Sequence, residues 1–537
     1  MKIYSIDLNY SRRMKKELHS GNFYFISRSS WEDYSTQMNE RNSRALWLTD
    51  FPLRLPVLLA IALFAATLFH GSRGLYESTE GRYAECGREM GQAGTWLVPM
   101  LNGHPHWTKP PVTYLAIALP YRVLGATTWA ARLYLIPCYL LSIIAVWWLA
   151  FRLWDDRLSA RMSALVYATA AIPMIASQVV STDYPLTAAL ALAQACFWEV
   201  MRKRSVAATH LLWVLLGTAF LVKGPPALLA VPAMVITWAR LPQQKRRFIP
   251  LLAPSAIALF LIVGVSWYAW EAWTHPGLTG YWIHDEVVNR SLSDKFNRNP
   301  EFYKNFVIYL PILLFGTLPW GAWLAFRWRA IRDHMIQSGG IKCAWFRRSD
   351  ETFWLVLSTA LPLAVFMLSR SKLPLYILPL FVPIAAGTGR LLLAIDGRAP
   401  WFCKIARRVA CLMFALFIIG KGLTACVENE RDMAYLHRLL TGPGGVQDPT
   451  RLAIFGKKHL NGLSFYYDHT VPLVNLDDLP KLLDDGGDHF VVYRRGHQEA
   501  DIDQLLKKYV TDKRALSQRW RLVHVMGPAE FYPLTHE

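Results

Sequence analysis

The chain of 537 residues holds seven cysteines, and no two of them stand in a Cys-x-x-Cys spacing. Positions 86, 138, 196, 343, 403, 411 and 426 fall in apolar, loop and polar surroundings alike, so neither a disulfide framework nor a zinc site follows. There is no glycine-rich phosphate loop and no internal repeat. Acidic residues are scarce, 39 against 58 Lys and Arg, which leaves a formal charge of +19. Such an excess suggests nucleic acid only where basic residues alternate with aromatics in a soluble segment. Here the basic clusters sit in short loops between apolar runs, the placement of cytoplasmic loops in a membrane protein. The first 46 residues, with Arg12-Arg13-Met14-Lys15-Lys16, have no apolar core and are not expected to be a cleavable signal peptide.

What abounds is apolar and aromatic surface. At 53% hydrophobic and 13% aromatic, with 22 Trp and a mean hydropathy of +0.19, the composition predicts a polytopic α-helical membrane protein. Spanning-length stretches fall near 53–70, 133–151, 160–180, 184–201, 207–222, 225–239, 249–272, 306–326, 353–369, 373–393 and 405–425, about eleven spans. Residues Leu53 to His70 read as a signal anchor. Arg152 to Arg161, Arg202-Lys203-Arg204, Lys245-Arg246-Arg247, the loop from Arg327 to Arg348, and Lys404 with Arg407-Arg408 all fall in the cytoplasm if alternate loops face out. Val112 to Leu124 is too short to span and is expected to lie on the outer face.

This topology divides the chain into a cytoplasmic segment 1–46, a transmembrane domain 47–427 and an outer soluble domain 428–537. Arg451 to Phe455, Val471 to Val474, His489 to Tyr493 and Leu522 to Val525 read as strands, with helices over Leu476 to Leu483 and Asp501 to Tyr509. The alternation predicts a small α/β domain suited to a binding or lid role. Loop 71–132, Asp183, Lys223, loop 273–305 and Lys372 would share its side of the membrane.

Chemistry concentrates in loop 71–132. Ser78 or Thr79 is placed to cap a helix running through Met90, which puts Glu80 in the first turn, where the helix dipole favours its ionised form. An ionised carboxylate there can act as a general base on an acceptor hydroxyl. The plainer reading is an exposed helix laced with ion pairs. Lys109 precedes Pro110-Pro111, a stiff turn that fixes its ammonium, although lysines beside membranes also snorkel. Asp183 interrupts two apolar runs and is a functional candidate by its depth, or a helix cap. Lys223, Arg290 and Lys372 add cations on the same face. Cations gathered around a few carboxylates beside a bilayer suit an anionic lipid headgroup.

These residues carry a family resemblance. Glu80-Gly81-Arg82-Tyr83-Ala84-Glu85, Gly94-Thr95-Trp96-Leu97-Val98-Pro99, Asn102-Gly103, Lys109-Pro110-Pro111, Asp183, Lys223-Gly224-Pro225 and Ser371-Lys372-Leu373-Pro374-Leu375-Tyr376 are similar, in order and spacing, to bacterial C-type glycosyltransferases of the lipid A aminoarabinose transferase and protein O-mannosyltransferase superfamily. The resemblance covers roughly residues 50 to 395. It implies a transferase of the bacterial inner membrane that passes a sugar from a polyprenyl-phosphate carrier to a lipid or glycan acceptor on the periplasmic face. By motif match Arg82, Tyr83, Lys109, Lys223, Arg290 and Tyr376 would hold the carrier phosphate, and Asp183 would join the acidic pair. One departure stands out: the family's Asp-Glu pair is Thr79-Glu80 here, so Glu80, or else Glu77, would have taken the catalytic role. Thr108 stands where the family often has Glu, which weakens the case for the divalent metal seen in some relatives, although His104 and His106 form a loose pair. The readings left beside it are a flippase or transporter of a lipid-linked glycan, a protein O-glycosyltransferase and a non-catalytic lipid-binding protein.

Overall fold

A computed structural model describes residues 54–289, 293, 298–337, 349–397, 399–443, 445–484, 487–496 and 499–528. Its first helix, α1 (Leu55–Thr67), is followed by the outer-loop helix α2 (Thr79–Ala93), a hairpin of β1 (Met100–Leu101) and β2 (His104–Pro105), and α3 (Val112–Leu124). A short α4 (Thr128–Arg132) leads into α5 (Leu135–Trp154); α6 (Asp183–Lys203) and α7 (Val206–Lys223) follow. Among the described residues six helices are long and apolar enough to cross a membrane: Thr128–Trp154, Val206–Lys223, Pro254–Thr274, Asp350–Leu368, Pro374–Asp396 and Trp401–Cys426. The pair Asn305–Gly316 and Trp320–Phe326 would make a seventh, bent by 83° where Pro319 interrupts the helix.

Of the other expected spans, 184–201 is one continuous helix of 21 residues, α6, and the rest are short or broken. α1 has 13 residues, about 20 Å at the helical rise. The 160–180 stretch splits into Arg157–Thr169 and Ala171–Ala176 at Ala170, whose backbone is extended. α3, at 13 residues, is too short to cross a bilayer upright, as its length predicts. Where α5, α6 and α7 meet, alanines are fully buried, among them Ala145, Ala191 and Ala219, and small side chains let such helices approach closely.

Beyond the last span (Pro400–Cys426) come α8 (Met433–Leu440), β3 (Leu452–Phe455), α9 (Asn461–Tyr467), β4 (Leu473–Val474), α10 (Leu479–Leu483), β5 (His489–Arg494), α11 (Glu499–Leu506), β6 (Tyr509–Ala515) and β7 (Trp520–Pro528). The five strands form one sheet in the order β4-β3-β5-β7-β6. β4, β3 and β5 run parallel, and β7 and β6 close the sheet antiparallel. Alternation along the strands decides the layers. Leu452 and Ile454 pack with Met433, Leu436 and Leu463 on one face, whereas Ala453 and Phe455 pack with Leu479, Leu483 and Ile502 on the other.

One strand departs from the sequence reading. The helix expected over Asp501 to Tyr509 ends at Leu506, and β6 follows it. Thr511, Asp512, Lys513 and Arg514 look like a loop, but β6 is an edge strand bonded on one side only, where charged residues discourage further pairing.

Candidate active site

α2 carries Glu80, Arg82 and Tyr83, and its N-terminus is tied down in an unexpected way. Ser78 makes no side-chain cap. Instead the Glu80 carboxylate accepts the Tyr76 N–H at 3.0 Å. The same carboxylate accepts both Nη atoms of Arg73, at 2.5 and 2.9 Å, Arg132 Nη2 at 3.4 Å and the Val180 N–H at 3.0 Å. Arg132, with no exposed side-chain surface, also donates to the carbonyls of Arg73 and Gly74. Burial would raise the Glu80 pKa, but the guanidinium groups of Arg132 and Arg73 outweigh it and hold it below the usual carboxylate range.

This geometry bears against the expectation of Glu80 as the base. A carboxylate offers about four lone-pair sites, and all are engaged by donors, so none is left for an acceptor hydroxyl. Glu80 instead binds the 73–80 segment, α4 and the 178–183 loop into one unit. Neither Arg73 nor Arg132 was singled out in the sequence. The available signal was Arg132 itself, a charge in an otherwise apolar Trp129-Ala130-Ala131-Arg132-Leu133 run.

Glu77 faces the sheet unit. Its Oε2 accepts the Gly462 N–H at 2.9 Å, and its buried Oε1 has no hydrogen-bond partner among the described residues. Burial pushes its pKa up to about 7, against the opposing pull of the Gly462 N–H and Arg82. Arg82 lies over the Tyr83 ring at 5.6 Å. At this seam two glycines touch: a Cβ on Gly81 would stand 2.5 Å from Gly462 N. Further along α2, Glu85 accepts Arg88 Nε at 2.7 Å and Nη2 at 2.6 Å; burial raises Glu85 to about 7 despite that arginine. Arg88 and Gln92 both reach Asp468, each at 2.9 Å.

Glu89 organises the next stretch by accepting the N–H groups of Asn102 and Gly103, at 2.8 and 2.9 Å. Both residues have positive φ, +54° and +75°, which an Asn-Gly hairpin turn requires. The chain then runs past exposed His104 to His106, whose Nε2 is hydrogen-bonded to Thr108 Oγ1 at 2.5 Å. Tyr83 stacks on Tyr114 with centroids 5.5 Å apart. Among the described residues no group of three His, Cys, Asp or Glu is arranged to hold a metal, so His104 and His106 have no third ligand there.

The hairpin delivers Lys109 to a cavity of about 590 Å³. Lys109, Lys223 and Tyr376 line it together with Glu286, Trp107, Tyr268 and Trp282, and apolar residues from Val365 to Leu368 extend it. Lys223 forms an ion pair with Asp183 and stands 4.4 Å from the Tyr376 ring centroid. Asp183 begins α6 and is 8% exposed. Lys109 pairs with Glu286 at 2.7 Å, a residue the sequence reading did not single out. Two ammonium groups in a largely apolar cavity can hold a lipid-borne phosphate.

The structure thus brings Lys109, Lys223 and Tyr376 into the cavity, with Asp183 directly behind Lys223. Glu77, Arg82 and Tyr83 are not among its lining residues. Lys372 is buried and donates to the carbonyls of Pro300 and Ser369, at 3.2 and 2.7 Å, which pins that loop. Arg290 lies outside the described residues.

A bundle of apolar helices with a lysine-lined cavity, and an outer-loop helix packed against an α/β unit, make up a fold also seen in solved C-type membrane glycosyltransferases. Solved structures share it. ArnT from Cupriavidus metallidurans bound to undecaprenyl phosphate matches with a TM-score of 0.65 and 20% identity, over 87% of this chain and 97% of that one. The Archaeoglobus fulgidus oligosaccharyltransferase matches at 0.52 and 10% identity, over 88% and 75%. Within that class, the resemblance read from the motifs recurs in sequence. Residues 55–283 match the family model described as dolichyl-phosphate-mannose-protein mannosyltransferase. The undecaprenyl phosphate-alpha-4-amino-4-deoxy-L-arabinose arabinosyl transferase of Erwinia tasmaniensis is 31% identical over 320 residues, 58% of this chain and 54% of the relative. That of Pectobacterium carotovorum is 31% identical over 361 residues, 65% and 60%. The chain therefore spans little more than half the length of these curated relatives.

Proposed function

We propose that this chain is a multi-pass glycosyltransferase of the bacterial inner membrane that moves a sugar from a polyprenyl-phosphate donor to a lipid A-like or other envelope acceptor on the periplasmic face. The observation that carries this reading is the pairing of Lys109 and Lys223 in one apolar cavity among bilayer-length helices. The donor phosphate would sit between the two ammonium groups, and the polyprenyl chain along the apolar wall from Val365 to Leu368. The sugar named for the relatives, 4-amino-4-deoxy-L-arabinose, is the first donor to supply.

Transfer forms a bond from the acceptor oxygen to the anomeric carbon and breaks the bond from that carbon to the phosphate oxygen. The acceptor proton passes to a carboxylate, and the departing polyprenyl phosphate keeps the electron pair. Asp183 is the carboxylate we assign to that proton: when the phosphate engages Lys223, the partner that neutralises Asp183 is drawn away. In this reading residues 428–537 form a periplasmic domain over the site, and 1–46 lie in the cytoplasm.

The test is transfer from purified polyprenyl-phosphate sugar to acceptor lipid by the full chain in detergent, with products read by mass spectrometry. A new glycosidic bond is expected from the wild type and not from Asp183→Asn. Movement of a lipid-linked glycan across proteoliposomes without a new bond would replace the transferase by a flippase. Attachment of sugar to protein hydroxyls instead of lipid would make it a protein O-glycosyltransferase.

A further inference from the structure

The end of α6 and the segment leading to Phe248 meet at one edge of the helix bundle. Arg204, which follows α6 with φ +54°, holds its guanidinium 5.4 Å from the centroid of the Phe248 ring, and Arg247 holds its own 4.6 Å from the same ring. Phe248 is itself exposed, as are Lys203 and Lys245, one and two positions before these arginines. Arg246 lies over the Trp238 ring at 5.3 Å. Among the described residues none of these five cations has a carboxylate partner, although the flanking Arg202 and Arg240 pair with Glu351 and Asp350. An excess of basic residues in cytoplasmic loops accounts for their number. It does not account for the gathering of unpaired ones around one exposed ring.

The adjoining surface is apolar. α7 is fastened to the segment after Phe248, with Trp213 Nε1 donating to the Leu251 carbonyl at 2.8 Å and His210 Nε2 hydrogen-bonded to Ser255 Oγ at 2.9 Å. Val206, Leu211 and Leu252 are left exposed along the nearby ends of the spanning helices Val206–Lys223 and Pro254–Thr274. Cations at the end of apolar helices suit a phospholipid, its phosphates on the guanidinium forks and its acyl chains along the apolar side chains. Two forks on one ring suit two phosphates. We propose that Lys203, Arg204, Lys245, Arg246 and Arg247, with Phe248, form a binding site for an anionic phospholipid whose headgroup carries two phosphates. In the orientation of the proposed function, on which the choice of leaflet rests, this is the cytoplasmic leaflet. α6 and α7 carry Asp183 and Lys223 at their opposite ends, so the lipid braces the turn of the hairpin that supports that ion pair.

The experiment is native mass spectrometry of the full chain in detergent, titrated with diphosphatidylglycerol or with phosphatidylethanolamine, and it reads the affinity for the first lipid retained. Wild type is expected to favour diphosphatidylglycerol. Arg204→Gln combined with Arg247→Gln should weaken that binding about 25-fold, at about fivefold for each basic residue beside an anionic headgroup. Arg204→Lys with Arg247→Lys keeps the charges and should retain part of it, which separates a lost contact from lost folding. Lys404→Gln with Arg408→Gln removes the same charge from another basic stretch and should bind like wild type, as should Lys109→Ala. Unchanged affinity in the Arg204→Gln/Arg247→Gln variant would overturn the proposal. An equal loss in the Lys404→Gln/Arg408→Gln variant would do so by making the binding a diffuse charge effect, and a loss in Lys109→Ala by moving the lipid to the cavity. Wild type with no preference for diphosphatidylglycerol would also overturn it and leave an acidic protein as the occupant. Sugar transfer enters none of these readouts, so each failure leaves the transferase reading intact.

Discussion

Asp183 and Lys223, 40 residues apart in the chain, form an ion pair beside the ring of Tyr376. Each was a lone ionisable group in an apolar run as seen in sequence. Together they satisfy one another in the resting site while leaving the lysine on the cavity wall, so the site can stay folded without donor and still present a cation to it.

Lys109→Ala removes the cavity's other ammonium. Loss of one charge-assisted bond to phosphate is expected to cost about 1.5–3 kcal/mol, about ten- to over a hundredfold in donor use. Titration of polyprenyl-phosphate sugar against initial rate measures it; donor dependence equal to wild type would mean that Lys109 does not touch the phosphate.

Glu80→Gln should act on folding before it acts on chemistry. The amide leaves Arg132, wholly buried, short of its anionic partner, and breaking such a buried pair costs about 3–5 kcal/mol. Thermal unfolding in detergent should fall clearly, with transfer per folded molecule reduced less than the yield of folded protein. Wild-type stability with complete loss of turnover would return Glu80 to the role of base. Because its folded pKa is depressed, the stability it contributes is present above the unfolded pKa and is lost as pH falls through the folded value.

Glu77 has the opposite sign. Its folded pKa is raised from 4.5 to about 7, so its contribution to stability is fully present below about 4.5 and is lost as pH rises through about 7. Glu77→Gln should flatten the decline of melting temperature across that window without abolishing it, because Glu85 is also raised to about 7. A melting profile that keeps the full wild-type slope would sink this assignment.

The membrane orientation can be tested with an impermeant thiol reagent on spheroplasts carrying a cysteine-free background. A cysteine at Asp501, in α11, should label, and one at Gln337 should not. The reverse pattern would place the cavity at the cytoplasmic mouth of the bundle and remove the case for a periplasmic reaction.

The helix around Glu80, the lysines and the strands β3, β4, β5 and β7 could be read locally, because apolar runs and alternation are local patterns. The site's electrostatics could not. Glu80 meets Val180 across 100 residues, and Lys109 meets Glu286 across 177; no spacing rule links such partners. For the same reason Glu80, in the first turn of a polar helix, looked exposed and reactive, although it is 3% exposed and saturated with donors. β6 was missed for a different cause: an edge strand carries the charges of a loop.

The backbone contact between Gly81 and Gly462 bears on how the two halves of this protein can be recombined. A chimera that takes the sheet unit from a relative imports a new residue at position 462 and new neighbours for Glu77, Arg88 and Gln92. A Cβ there would stand 2.7 Å from the Met433 side chain and 3.2 Å from Glu77 Oε2, and overpacking of this kind costs about 1–3 kcal/mol. Residues 77–92 and 461–468 therefore have to be exchanged as one cassette, even though more than 350 residues separate them in the chain.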